Sequence, residues 1–128
     1  METLPVTSLL TGAAALFLVL LSFPVANHRR KNKLSAGDGG DEAFNRKIRA
    51  QGNFIEYAPI AIIAIGLLEM NAFPQIWVCG FAAALAAGRV LHAIGLIWNV
   101  IIGRMLGAVL TFATLLLAGG ALVLHSFV

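Results

Sequence analysis

The chain has 128 residues, of which 59% are hydrophobic and only 12% charged, whereas a water-soluble domain carries about 25% charged residues. That composition places it in a membrane, with length for four spans and their loops and none for a further soluble domain. Of the charge behind the net +3, seven of nine basic residues lie between Arg29 and Arg49; this clustering suits an anionic lipid surface and not nucleic acid, for which no recognition motif is present.

The first span is expected over residues 5–26, with Thr3 and Pro5 as good helix-start residues and no charge between Thr3 and Asn27. At about 1.5 Å per residue it is long enough to cross a core of ~30 Å. The start of the chain lacks a basic segment ahead of this apolar run, so no cleavable signal peptide is expected. A basic collar follows, Asn27-His28-Arg29-Arg30-Lys31-Asn32-Lys33, and then a glycine-rich acidic loop, Gly37-Asp38-Gly39-Gly40-Asp41-Glu42. Asp41 or Glu42 is suited to the positive N-terminal end of the next helix.

The second span, residues 44–70, exceeds what crossing requires, so its first two turns should protrude. Arg46, Arg49, Asn53 and Glu56 fall within an arc of roughly 80° on a helix. The same stripe continues as Ile60, Ile63 and Leu67. Ionisable groups at membrane depth are expensive to bury and so point to a functional site. Pro59 removes a backbone hydrogen bond beside Glu56.

The third span, residues 74–98, is rich in small residues that permit close helix approach, among them Gly80, Ala82, Gly88 and the alanines between. Cys79, the only cysteine, excludes an intramolecular disulfide and is expected to be a small buried hydrophobe. Arg89 and His92, three residues apart, share a face, with Arg89 roughly 14 Å inside the helix end. Their depth suggests that Arg89 pairs with Glu56. The fourth span, residues 103–127, opens with Arg104 between Gly103 and the rest of a GxxxG pair with Gly107. The fold class is therefore an all-α membrane protein, a four-transmembrane-helix bundle forming one domain over residues 1–128. Loops one and three carry the positive charge and should face the cytoplasm, with both termini on the far side.

The polar residues admit two accounts. Buried ion pairs can serve only to fix helix register, and His92 alone fits a core histidine. Yet Arg46, Arg49, Asn53, Glu56, Arg89, His92 and Arg104 together exceed what register needs, and their positive excess calls for an anion. Tyr57, Trp77 and Trp98 suit packing or interfacial belts. No metal is expected, since HExxH and CxxC are absent and the three histidines are far apart in the chain. Gly37-Asp38-Gly39-Gly40 precedes no Lys-Ser/Thr and is not a phosphate loop.

The segment from Phe44 to Pro59, F-x-R-x-x-R-A-Q-x-N-x-x-E-Y-x-P, closely resembles the second helix of the membrane-associated proteins in eicosanoid and glutathione metabolism, the MAPEG family, and its bacterial microsomal glutathione S-transferase-like branch. Arg89-Val90-Leu91-His92 is similar to the family's third-helix motif. The specific likeness covers about 20 residues, and the likeness in architecture most of the chain. It implies a homotrimer with glutathione as co-substrate, bound between protomers near the cytoplasmic face. It implies glutathione contacts at Arg49, Gln51, Asn53, Glu56 and Tyr57, further contacts at Arg89 and His92, and another at Arg30 in the collar. Arg104 resembles the arginine that stabilises the glutathione thiolate. His92 and Leu96 stand where some members carry tyrosines. The function so implied is a transferase or peroxidase acting on lipophilic electrophiles, in a bacterial inner membrane. Two other readings are a catalytically inert member of that fold and a small multidrug-type transporter. The latter uses a lone acid in a charge-poor helix, whereas Glu56 sits among arginines.

Overall fold

The computed structural model describes residues 3–127; Met1 and Glu2, which entered the terminal charge argument, lie outside them. It contains four helices in an antiparallel succession: α1 Pro5–Asn32, α2 Glu42–Met70, α3 Gln75–Ile97 and α4 Ile101–His125. All four are long and apolar enough to span a membrane, and the protein is a multi-pass integral membrane protein. The largest difference from the expected spans is in α1, which continues through the basic collar to Asn32. Arg29, Arg30 and Lys31 then occupy its last turn, where cations oppose the helix dipole favourably. Lys33, at φ 54°, ends the helix in the left-handed region.

Loop 1 is held by its own side chains. Asp38 accepts hydrogen bonds from the Gly40 N–H (2.9 Å) and from Asn45 Nδ2 (2.6 Å). Asp41 caps α2 by accepting from the Phe44 N–H at 3.0 Å, as its position suggested, with Glu42 in the first turn. Phe44 is buried against the collar, with the His28 ring stacked on it at 3.8 Å and the Arg29 guanidinium 5.5 Å from its centre. At the opposite end, α1 has no side-chain cap of its own. Glu69 of α2 supplies one, accepting from Val6 N–H (3.0 Å) and Thr7 N–H (2.9 Å).

Helix α2 is central and touches the other three, while α1 meets α2 and α3 and stays clear of α4. The closest pair is α3–α4. A Cβ at Gly95 would collide with the Arg104 backbone, and one at Gly107 with the His92 backbone; at Gly88 it would lie 3.1 Å from the Gly107 carbonyl. Small residues thus do bring helices together, but selectively: Gly80 has open space around it. Two apolar clusters fill the bundle. One, around Ile65, Leu68, Val78 and Leu85, lies toward the far end; the other, around Ala50, Phe54, Ala58 and Ala93, lies toward the collar. Arg89 and His92 sit on α3 at the seam between them. Cys79 is exposed on the outer face of α3, contrary to the burial expected of it, because the buried stripe runs through Val78, Ala82 and Leu85. Trp77 and Trp98 are exposed at opposite ends of α3.

Candidate functional site

Asn53 and Tyr57, one turn apart on α2, face the α3–α4 pair. On α3, Arg89 and His92 are both buried, at 5% and 9% exposure. Their helices enclose a hollow of about 180 Å³ lined by Asn53, Tyr57, Arg89, His92, Thr111 and Phe112. Arg89 organises it. Its Nη1 donates to Asn53 Oδ1 at 2.8 Å and to the Asn53 carbonyl at 3.2 Å, and its Nε donates to Thr111 Oγ1 at 3.0 Å. Thr111 Oγ1 in turn donates to the Gly107 carbonyl at 2.8 Å. The guanidinium carbon lies 5.7 Å from the centre of the Tyr57 ring, whose edge meets Phe112 at 5.4 Å.

The Glu56–Arg89 ion pair expected from depth does not form within the protomer. Asn53 takes that place, and Glu56, three residues on and so about 60° round the helix, is exposed on the flank. Among the described residues Arg89 has no carboxylate partner, and its Nη2 has no hydrogen-bond partner. A buried guanidinium held by neutral oxygens alone keeps its full positive charge, which makes the hollow an anion-selective environment.

The other candidates fall into two groups. Arg104 lies on the same stripe of α4 as Ala108 and Thr111, one turn (about 6 Å) nearer the collar end, and is exposed. Arg49 stands one turn above Asn53 on α2 and is also exposed; Arg46, two turns above, is half-buried and its Nε has no partner among the described residues. These arginines surround the approach to the hollow from the collar end. Gln51 and Arg30 do not join them. Gln51 points to α1, where Nε2 donates to Ser22 Oγ at 2.8 Å, and Arg30 bonds Asn27 Oδ1 at 3.3 Å within the collar. Thr111 is the one site residue that sequence reasoning missed. The available signal was chemical: a buried arginine on α3 requires an acceptor, and α4 offers few polar side chains at that depth.

The exposed flank of α2 is unusual for a lipid-facing surface. Arg49 and Glu56 are followed along it by Ile60 and Ile63, 57% and 55% exposed. Measured from Met70, Glu56 lies about 21 Å along the helix, which puts it roughly 9 Å inside a ~30 Å core.

Comparison with known proteins agrees with this arrangement. The MAPEG family model matches residues 7–124. The Inner membrane protein YecN of Escherichia coli strain K12 is 36% identical over 115 residues, covering 88% of this chain and 86% of that protein. Its counterpart in Escherichia coli O6:H1 strain CFT073 is similar to the same extent.

Proposed function

The chain belongs to the MAPEG family, and from that premise we propose that it is a glutathione-dependent transferase or peroxidase acting on lipophilic electrophiles. The observation that carries this reading is Arg89: a buried cation with no carboxylate, opening on a polar hollow inside the hydrocarbon region. Such a group is retained against its cost only where an anion arrives to meet it. Glutathione presents two carboxylates and one ammonium group, so a receptor for it needs arginines in excess and a single acid. Arg49, Arg89 and Arg46 supply the first, and Glu56 the second.

Glu56 and Arg49 lie on the exposed flank of α2, so both complete the site only when another copy covers that flank. A charged pair at this depth has no stable contact with lipid tails, which supports a site formed between protomers of a homotrimer. On the positive-inside distribution, the collar end faces the cytoplasm, where glutathione is found, and the relatives place the chain in the bacterial inner membrane.

Arg104, at the mouth, is assigned to the thiol. Lowering a thiol pKa from ~8.5 by about two units takes roughly 2.7 kcal/mol of preference for the thiolate, within reach of one partly desolvated arginine. The thiolate sulfur then attacks an electrophilic carbon, the C–S bond forms, and the leaving group departs with its bonding pair. With a lipid hydroperoxide, sulfur takes the terminal oxygen, the alkoxide leaves as the alcohol, and a second glutathione releases water and the disulfide.

Calorimetry of the detergent-solubilised protein with glutathione tests the reading: saturable binding is expected, and absence of heat at millimolar glutathione would sink it. The Arg104→Ala variant should bind glutathione with little change and lose the ultraviolet thiolate absorbance of the complex. Undiminished absorbance removes Arg104 from that role. Binding without turnover of chlorodinitrobenzene or a hydroperoxide would instead point to an inert member of the family.

A further inference from the structure

A second hollow lies on the other side of Arg89. It runs as a groove between α1 and α3 with α2 as its floor, has a volume of about 360 Å³, and is lined by Leu10, Leu16 and Leu20 of α1, Phe54 of α2, and Ala86 and Arg89 of α3 among others. Apart from Arg89 every lining residue is apolar. The groove exists because α1 leans on α2 and touches α3 only sparsely, and because Ala13, Ala14 and Ala86 leave room where longer side chains would close it.

We propose that this groove binds the tail of a single-chain amphiphile, a fatty acid or a fatty-acid-derived electrophile, with its polar end directed to Arg89. The size of the groove decides between occupants. From Leu10 to Leu20 it follows α1 for about 15 Å, so 360 Å³ corresponds to a mean section of roughly 24 Å², a channel about 5 Å across. An extended hydrocarbon chain, whose carbons rest ~4 Å from their neighbours, fills such a channel. A helix from another copy, about 10 Å across, would need on the order of 1,200 Å³ over the same length, and the two tails of one phospholipid would need twice the section. Charge agrees with size: the lone charged residue of the lining is cationic and lacks a carboxylate partner among the described residues.

The inference deepens the glutathione reading by naming the class of acceptor, and rests on that reading for its chemistry alone. Arg89 lines both hollows. A chain in the groove therefore ends against the residue whose guanidinium looks into the glutathione hollow, and the two reactants approach from opposite sides of one side chain.

The test uses a straight-chain fatty acid carrying a mid-chain diazirine, photolysed with the full-length protein in phosphatidylcholine nanodiscs without glutathione. Labelling should saturate, be competed by unlabelled fatty acid, and map to the α1 segment around Leu16 and the α3 segment around Ala86. Ala86→Phe and, from the opposite wall, Ala13→Phe should each reduce it about tenfold, the loss of roughly two buried methylenes; Ala113→Phe, on the exposed face of α4, should not. Unsaturable labelling spread over all exposed faces would identify surrounding bilayer lipid only and overturn the proposal. Equal labelling by a diazirine phosphatidylcholine would do the same, as would labelling that both groove variants leave intact, or a groove that is unlabelled because a neighbouring copy covers it. Glutathione calorimetry runs separately, so saturable groove labelling in a protein that never binds glutathione would sink the transferase reading and leave the amphiphile site standing.

Discussion

Thr111 carries more than its size suggests. Replacing it with valine keeps the shape but leaves Arg89 Nε buried without an acceptor, which should lower stability by about 1.5–3 kcal/mol, the range for hydrogen bonds to charged groups. Thr111→Ser should restore most of that loss, and thermal unfolding in a fixed detergent compares the two. A pH effect belongs to this scale as well. The Gly40 N–H first, and the Asn45 amide second, hold the Asp38 carboxyl below the usual 3.8. Because the folded value is the lower one, this contribution is complete above the unfolded value and disappears as pH falls through the folded value. The Asn45 side-chain amide resonances should titrate with a midpoint under 3.8, and Asp38→Asn should abolish the transition. Of the site, the α2 stripe and the Arg89–His92 pair were legible from spacing and from the oddity of charge at depth. The partner of Arg89 was not. Helical spacing states which residues of one helix share a face, but the rotation of α2 against α3 brought Asn53, not Glu56, into reach, and that angle is set by packing across helices.

Among the elements, the α3–α4 pair is the least forgiving. Gly107→Ala would drive a Cβ into the His92 backbone, which cannot yield as a flexible side chain does; a loss of about 1–3 kcal/mol or more is expected. Gly119→Ala, on the same helix with open space around it, should be neutral or add up to ~1 kcal/mol through helix propensity. Loss of stability at both positions alike would show that the close approach is not what Gly107 provides. Four helices and their order were legible from hydropathy and turn residues, since each span needs about 20 apolar residues and announces itself. The helical state of the collar was less so. His28 to Asn32 look like a loop by charge, yet the stacking of His28 and Arg29 on Phe44 gives those residues a packed partner and keeps the backbone in register.

At the scale of the molecule, the exposed α2 flank fixes expectations about assembly. Native mass spectrometry from mild detergent should give a trimer, and Ile63→Arg, on that flank, should shift it toward monomer while weakening glutathione binding at least tenfold. A wild-type monomer that binds glutathione with full affinity would place the whole site within one chain. The clasp between Arg89 and Thr111 also bears on biosynthesis. The third segment presents a guanidinium at a depth where insertion alone costs about 2.5–3.5 kcal/mol, and its acceptor arrives only with the fourth, three residues beyond the end of α3. The last two segments should therefore leave the translocon as one hairpin, and a chain truncated after Trp98 should linger there or slip back toward the aqueous side.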